Sequence, residues 1–566
     1  MCGPVTIPFR NALLACKNRV AERHSLYRPA DDHGRLTVAV RCPQLPVITG
    51  EYVESATQDR VAAGSDRRDA PLDIDPADFR AAGHALVDRI ADLLASIADR
   101  PVAPHTTPSA IRARLGDGRL PETGDEVGAL VDRVTTLLFD HSTFNGHPRF
   151  FGYITASAAP IGILGDMLAA AVNPNVGSWS LSPVATEIER QAVRWVAEFI
   201  GFPASCGGLF VSGGNMANMV CFLAARAAHA SRAGWDVRAK GMATGDSAKL
   251  TVYTSAETHT WVQKAADLFG LGTDAVRWIE VDAERRMRMD RLRERIAADR
   301  KAGFHPFLVI GTGGSVATGA VDPLPEIAAL CRAEGLWFHV DGAYGAPAAR
   351  VPGVPPDLTA LGEADSVAVD PHKWFYAPLE AGCALVREPA ALLAAFSYRP
   401  SYYHFHGLAE DPPVNFYEWG PQNSRGFRAL KVWLAFRQIG RAGYTKLIGE
   451  DIALARRMFD KVAEHAELEA LTCALSIATF RYVPTDVSPS LGAEERAKYL
   501  NELNTALLTR LTENGAVYLS NAVIDDTFAL RACIVNFRTS VADVDAVPDI
   551  VVREGRLLHQ AMASAR

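Results

Sequence analysis

Ser366-Val-Ala-Val-Asp370-Pro-His372-Lys373-Trp374 is a short apolar run that ends on an acid and passes, through a proline, to a histidine and a lysine. Four apolar or small residues closed by such a turn signal read as a buried strand, Ser366–Val369. A lysine amine can condense with a cofactor carbonyl, provided that burial or neighbours keep part of it deprotonated. Alone, one lysine establishes little. Upstream lies Trp337-Phe-His339-Val-Asp341-Gly-Ala343-Tyr-Gly345, a second strand that delivers a carboxylate where its apolar run stops. A carboxylate there can keep a pyridinium nitrogen protonated, which makes the ring an electron sink. Alone, His-Val-Asp is an ordinary strand end. Two consecutive strands ending in Asp341 and Lys373 are harder to assign to packing.

Working outward, the chain after Gly152 alternates helical periods with short apolar strands, predicted at Leu250–Thr254, Pro306–Gly311, Leu336–Val340, Ser366–Val369 and Cys383–Val386. This pattern predicts an α/β domain with a mostly parallel sheet, whose ligand lies beyond the carboxyl ends of the strands. Two further segments fit that edge. Gly207-Gly-Leu-Phe-Val-Ser212-Gly213-Gly214-Asn215 precedes a helical run, Met216 to Ala228. Glycines before a helix let backbone N–H groups approach a phosphate, although a plain helix cap has the same signature. Thr254-Ser-Ala-Glu-Thr-His259 places a histidine after a strand, where it either stacks on a flat ring or caps a helix.

Before the α/β region, Phe79, Leu86, Val87, Ile90, Leu93, Leu94 and Ile97 recur at helical spacing until Pro101 and Pro104. A second helix is predicted over Val127 to Phe139. Residues 71–150 therefore read as a helical arm, and residues 1–70, polar and without a sustained period, as an extension outside the fold. Residues 151–440 read as the large domain. Residues 441–566, with an apolar run Leu475–Tyr482 and a strand-like Ala532–Phe537, read as a small α+β domain.

Composition narrows the function. Over 566 residues, hydrophobic residues make up 48% and charged residues 22%, with a mean hydropathy of +0.02, the balance of a soluble globular protein. A net charge of −7 provides no field for a polyanion, so no nucleic-acid partner is expected. The 9 cysteines are scattered without a CxxC pair, which excludes the usual metal spacing and fits a reducing cytoplasm. No apolar run approaches the roughly 20 residues of a membrane span, and no signal peptide is evident.

With Phe150-Phe-Gly-Tyr153, Ser182-Pro-Val-Ala-Thr-Glu187, Ser212-Gly-Gly-Asn215, His339 to Gly345, Asp370-Pro-His-Lys-Trp374 and Phe427-Arg-Ala-Leu-Lys431 taken together, the chain resembles the group II pyridoxal 5′-phosphate-dependent amino-acid decarboxylases, nearest to the aromatic-L-amino-acid branch. The resemblance runs from about Phe79 to near the C-terminus. It implies the fold type I architecture of pyridoxal 5′-phosphate enzymes and an obligate homodimer, with the arm wrapping the partner. It further implies that Lys373 carries the cofactor, Asp341 pairs with its ring nitrogen, Ala343 packs under the ring and His259 stacks above it. Gly214 and Asn215 fall on phosphate-loop positions, with Asp370 and His372 on the phosphate side of the lysine turn. Thr155 matches a residue near the substrate carboxylate. Tyr402 matches the loop tyrosine that protonates the α-carbon, with Tyr403 leaving the register open by one.

Two departures bear on substrate. Val176-Gly177-Ser178-Trp179 lacks the phenylalanine that aromatic decarboxylases carry before the Ser/Thr-Trp pair, so a wall against the substrate ring is expected to be missing. Gly314-Ser315-Val316 loses one hydroxyl of the family's Gly-Thr-Thr run. The expected reaction is decarboxylation of an L-amino acid, aromatic by resemblance, to the amine and carbon dioxide. The alternatives are an oxygen-consuming aldehyde synthase, a decarboxylase of a non-aromatic amino acid, and a non-catalytic scaffold. In the family the synthases tend to replace the loop tyrosine or the stacking histidine, both present here, and a scaffold has no reason to keep Lys373, Asp341 and His259 together.

Overall fold

The structure is a computed structural model and describes residues 70–116, 118–242, 249–399, 412–487 and 491–564. From Pro76 onward the chain forms one compact unit built on two sheets. The larger has seven strands: β1 (Gly207–Val211), β2 (Leu250–Ser255), β3 (Val276–Ile279), β4 (His305–Thr312), β5 (Trp337–Asp341), β6 (Ser366–Val369) and β7 (Gly382–Val386). Their order is β1-β7-β6-β5-β4-β2-β3, and β7 alone runs against the others. Parallel strands joined by helical crossovers must be covered on both faces. Accordingly, alternate residues enter different cores. Phe338, Val340, Val367 and Val369 pack on one face with helix Pro183–Ile200, while Trp337 and Ala368 pack on the other with helix Gly214–Arg232.

In this sheet the five expected strands hold to within a residue or two, and β1 and β3 have no counterpart among them. The parallel pairing of β5 with β6 sets Asp341 beside Ala368, so the strand-end acid and the turn carrying Lys373 share one edge. The long helix Ala429–Ala463 bends at Gly440, whose φ of +62° is left-handed backbone that glycine adopts without penalty. Before the bend Val432 and Phe436 pack in the large core; beyond it Ala455, Met458 and Val462 pack on the second sheet.

That second sheet is antiparallel, in the order β10-β11-β9-β8, from β8 (Leu468–Ala474), β9 (Ile477–Tyr482), β10 (Ser520–Ile524) and β11 (Thr527–Cys533). The strand expected at Ala532–Phe537 in fact ends at Cys533. The buried Arg531 breaks the apolar run, which hid the strand's true start. Helices Ala493–Asn514 and Val541–Ser564 cover this sheet.

The arm region contains helices Pro76–Ser96, Pro108–Leu115 and Val127–His141. Arg89 pairs with Asp132 between the first and third. Their apolar stripes are only partly covered: Phe79, Val87, Leu130, Val134 and Leu138 remain exposed. Among the described residues no helix is long and apolar enough to cross a membrane.

Candidate active site

A cavity of about 360 Å³ opens at the carboxyl edge of the large sheet. Eight of the residues singled out by the sequence line it: Lys373, Asp341, His259, Gly214, Asn215, Ala343, Asp370 and His372. Thr155 is not among its lining residues, and its hydroxyl is buried without a partner. Tyr402 and Tyr403 lie outside the described residues.

Asp341 ends β5 and is largely buried, with Oδ2 accepting from Trp261 Nε1 at 2.8 Å and Oδ1 from the Ala343 N–H at 3.2 Å. Two residues earlier on the strand, His339 Nε2 donates to Asn218 Oδ1 at 2.7 Å, and its Nδ1 lies 2.9 Å from Ser366 Oγ. These bonds tie β5 to β6 and to the helix Gly214–Arg232. Burial pushes His339 down to about 4, so this interior imidazole is neutral.

Lys373 follows β6 through the turn Asp370-Pro-His-Lys. Its Nζ lies 3.0 Å from Asp370 Oδ2, and His372 Nε2 lies 3.5 Å from the same oxygen. Burial pushes the Asp370 carboxyl up, but Lys373 and His372 beside it outweigh that penalty and hold it below its usual value. His372 is oriented by the Ala381 N–H, which donates to Nδ1 at 3.0 Å. The turn is braced from behind. Trp374 stacks on Tyr344 with ring centroids 4.8 Å apart, and Trp374 Nε1 and the Tyr376 hydroxyl both donate to Asp451 Oδ2, at 2.9 and 2.7 Å.

Against the lysine turn, Ser212, Gly213, Gly214 and Asn215 line the cavity where helix Gly214–Arg232 begins, its N-terminal N–H groups free of intrahelical partners. A Cβ on Gly214 would lie 2.6 Å from Asp370 Oδ2 and 3.1 Å from Ala343 Cβ, so glycine is what allows this close approach. His259 borders the same space, its Nδ1 accepting the Trp261 N–H at 3.3 Å. Burial lowers its pKa, Asp341 opposes that, and Lys373 adds to it.

Sequence reasoning passed over Thr312, Asn218 and Trp261. Thr312 ends β4 one residue beyond the predicted strand and lines the cavity, so the strand-end rule was one position from finding it. Of the Gly314-Ser315-Val316 run, Gly314 and Val316 face the cavity, while the Ser315 hydroxyl bonds to Thr318 Oγ1 at 2.9 Å. At Gly177 a Cβ would meet the Asn423 carbonyl oxygen at 2.2 Å, so the main chain takes the space that a side chain would enter.

An acid for a pyridinium, an amine for an aldehyde and a glycine-lined helix N-terminus for a phosphate converge on one cavity, and these residues fit pyridoxal 5′-phosphate. Fold and donor set together define a fold type I pyridoxal 5′-phosphate enzyme. Comparison with known proteins narrows this class. Residues 108–483 match the pyridoxal-dependent decarboxylase conserved domain. The aromatic-L-amino-acid decarboxylase of Bacillus atrophaeus is 32% identical over 474 residues, covering 84% of this chain and 94% of that protein. A phenylacetaldehyde synthase of Petunia hybrida is 28% identical over 493 residues, covering 86% and 96%. Among solved structures, Oryza sativa TDC with PLP and tryptamine superposes with a TM-score of 0.79 at 26% identity, covering 87% of this chain and 100% of that one. The chain belongs to the pyridoxal-dependent decarboxylase family, and it is a carboxy-lyase that uses pyridoxal 5′-phosphate.

Proposed function

We propose that this protein converts an aromatic L-amino acid to its amine and carbon dioxide, with Lys373 as the covalent anchor of the cofactor. The observation that carries the reading is the convergence of Lys373, Asp341, His259 and the Gly213–Gly214 helix start on one cavity. When bound, pyridoxal 5′-phosphate supplies an electron-accepting ring for the pair released as the carboxylate leaves. Asp341, its two oxygens already fixed by Trp261 and Ala343, holds the proton on the ring nitrogen. Gly214, Asn215 and the helix start receive the phosphate, with Asp370 and His372 fixing the lysine turn beside it. Ala343 and His259, which line the same cavity, would hold the ring between them, His259 with its Nδ1 already accepting a main-chain N–H. Asp370, 3.0 Å from Lys373 Nζ, would orient that amine toward the cofactor's aldehyde. The phenolic O–H of Tyr402, or of Tyr403 beside it, returns the proton to the substrate α-carbon. The aromatic preference rests on the Bacillus atrophaeus relative.

The exposed apolar stripes of the arm helices support a homodimer in which residues 71–150 embrace the partner, residues 151–440 hold the cofactor and residues 441–566 form the small domain. The described cysteines are free thiols, which supports a cytoplasmic location.

The likeness to a phenylacetaldehyde synthase supports a second reading, oxygen-consuming conversion to the aldehyde. Holoenzyme incubated with each natural amino acid separates the two. Amine and carbon dioxide in equal amounts, without hydrogen peroxide and only from aromatic substrates, is the expected result. Stoichiometric peroxide and ammonia replaces it with the synthase, and turnover of a non-aromatic substrate alone overturns the aromatic assignment.

A further inference from the structure

Trp261 is fully buried at the first position of the helix Trp261–Leu268, two residues after His259. Its indole Nε1–H is the side-chain donor on Asp341 Oδ2, at 2.8 Å, while the Ala343 N–H holds Oδ1. With one donor on each oxygen, the carboxyl group cannot rotate about Cβ–Cγ without breaking a charge-assisted bond in a buried site. The indole is itself immobilised. Phe222 meets it edge-on at 6.5 Å and 85°, and His339, locked by Asn218 and Ser366, meets it at 5.8 Å and 87°. Trp261 does not line the cavity.

We propose that Trp261 is a positioning residue of the reaction, its indole N–H aiming the Asp341 carboxylate at the ring nitrogen of the bound cofactor. The proposal rests on Asp341 being the partner of that nitrogen. An indole that touches neither substrate nor cofactor should affect turnover and cofactor affinity while leaving KM unchanged. Removing a hydrogen bond to a charged group is typically an effect of about tenfold to a hundredfold.

The test uses the full chain as Trp261→Phe and, because that change also opens space in the core, a second protein with 3-benzothienylalanine at position 261, which keeps the shape and lacks the N–H. Each is loaded with pyridoxal 5′-phosphate and, separately, with its 1-deaza analogue, which has no ring nitrogen. The expected result is a cofactor dissociation constant raised about tenfold or more with the natural cofactor and less than about twofold with the analogue, with kcat reduced and KM unchanged. Equal losses with both cofactors would show a packing role only and overturn the proposal, as would no loss with either. Asp341→Asn runs alongside. If it too weakens both cofactors equally, the pairing of Asp341 with the nitrogen fails and takes the Trp261 role with it. If Asp341→Asn discriminates between the cofactors and the Trp261 variants do not, only the Trp261 role falls.

Discussion

Replacing Gly214 by alanine adds a single methyl group at the most crowded point of the cavity. The new Cβ would lie 2.6 Å from Asp370 Oδ2, 3.1 Å from Ala343 Cβ and 3.2 Å from Asp370 Cγ. An ordinary contact begins near 3.4 Å, so something must retreat by most of an ångström. Ala343 is held between β5 and the lysine turn, where the Asp370 N–H donates to the Ala343 carbonyl at 3.1 Å. Asp370 must therefore swing, which strains its links to Lys373 at 3.0 Å and to His372 at 3.5 Å. Overpacking of this kind costs about 1 to 3 kcal/mol, which is about a fivefold to 150-fold change in an equilibrium constant. Gly214 also opens the helix at which the phosphate is proposed to sit, so the penalty should appear in cofactor binding. The assay is reconstitution of apo-protein with pyridoxal 5′-phosphate, followed by its visible absorbance. The dissociation constant should rise at least fivefold, while Gly118→Ala, at a position with nothing within 4 Å, should leave it unchanged. An unaltered constant for Gly214→Ala would refute the placement of the phosphate at this helix.

Glu189 and Arg425 form a buried pair whose side chains are 0% and 1% exposed, so Glu189→Gln leaves a guanidinium charge in the core and should destabilise the apo-protein by about 3 to 5 kcal/mol in urea titrations; a loss under about 1 kcal/mol contradicts this. Burial pushes the Asp451 carboxyl up to about 7 against the donors Tyr376 and Trp374. The native state therefore holds that proton more tightly than the unfolded chain, where the value is about 3.9. The stabilisation is complete below about pH 4 and is lost as pH rises through about 7, amounting to a few kcal/mol at most. The difference in unfolding free energy between wild type and Asp451→Asn, measured from about pH 4.5 to 8, should change with that slope; parallel profiles would exclude it. Tyr402→Phe, tested beside Tyr403→Phe, should divert product from amine toward aldehyde, ammonia and hydrogen peroxide, and normal amine output from both variants removes the loop tyrosine from the reaction.

The sequence revealed the central strands because β2, β4, β5, β6 and β7 are apolar runs buried on both faces, each closed by polar or glycine signals. It concealed β1 because Gly207 and Gly208 at its start and Ser212-Gly-Gly after it look like one glycine-rich turn; what makes it a strand is its register with β7, from Gly207 opposite Val386 to Val211 opposite Gly382. It also concealed β3, a four-residue edge strand whose middle residues, Arg277 and Trp278, are not buried. The site was legible where residue type carries the chemistry, as with Lys373, Asp341 and the Gly213–Gly214 pair. Trp261 was not, since a tryptophan at the start of an amphipathic helix reads as core, and only the fold brings its indole to a carboxylate 80 residues further along the chain. Thr155 shows the reverse limit: its motif matches, yet its side chain is not part of the cavity wall.

Covalent attachment of the cofactor to Lys373 can be read directly. Holoenzyme reduced with borohydride, digested and mapped by mass spectrometry should carry the pyridoxyl group on the peptide containing Asp370-Pro-His-Lys373-Trp, and Lys373→Ala should carry none. Modification of any other lysine, or an unmodified Lys373 in protein that retains full activity, would contradict the assignment.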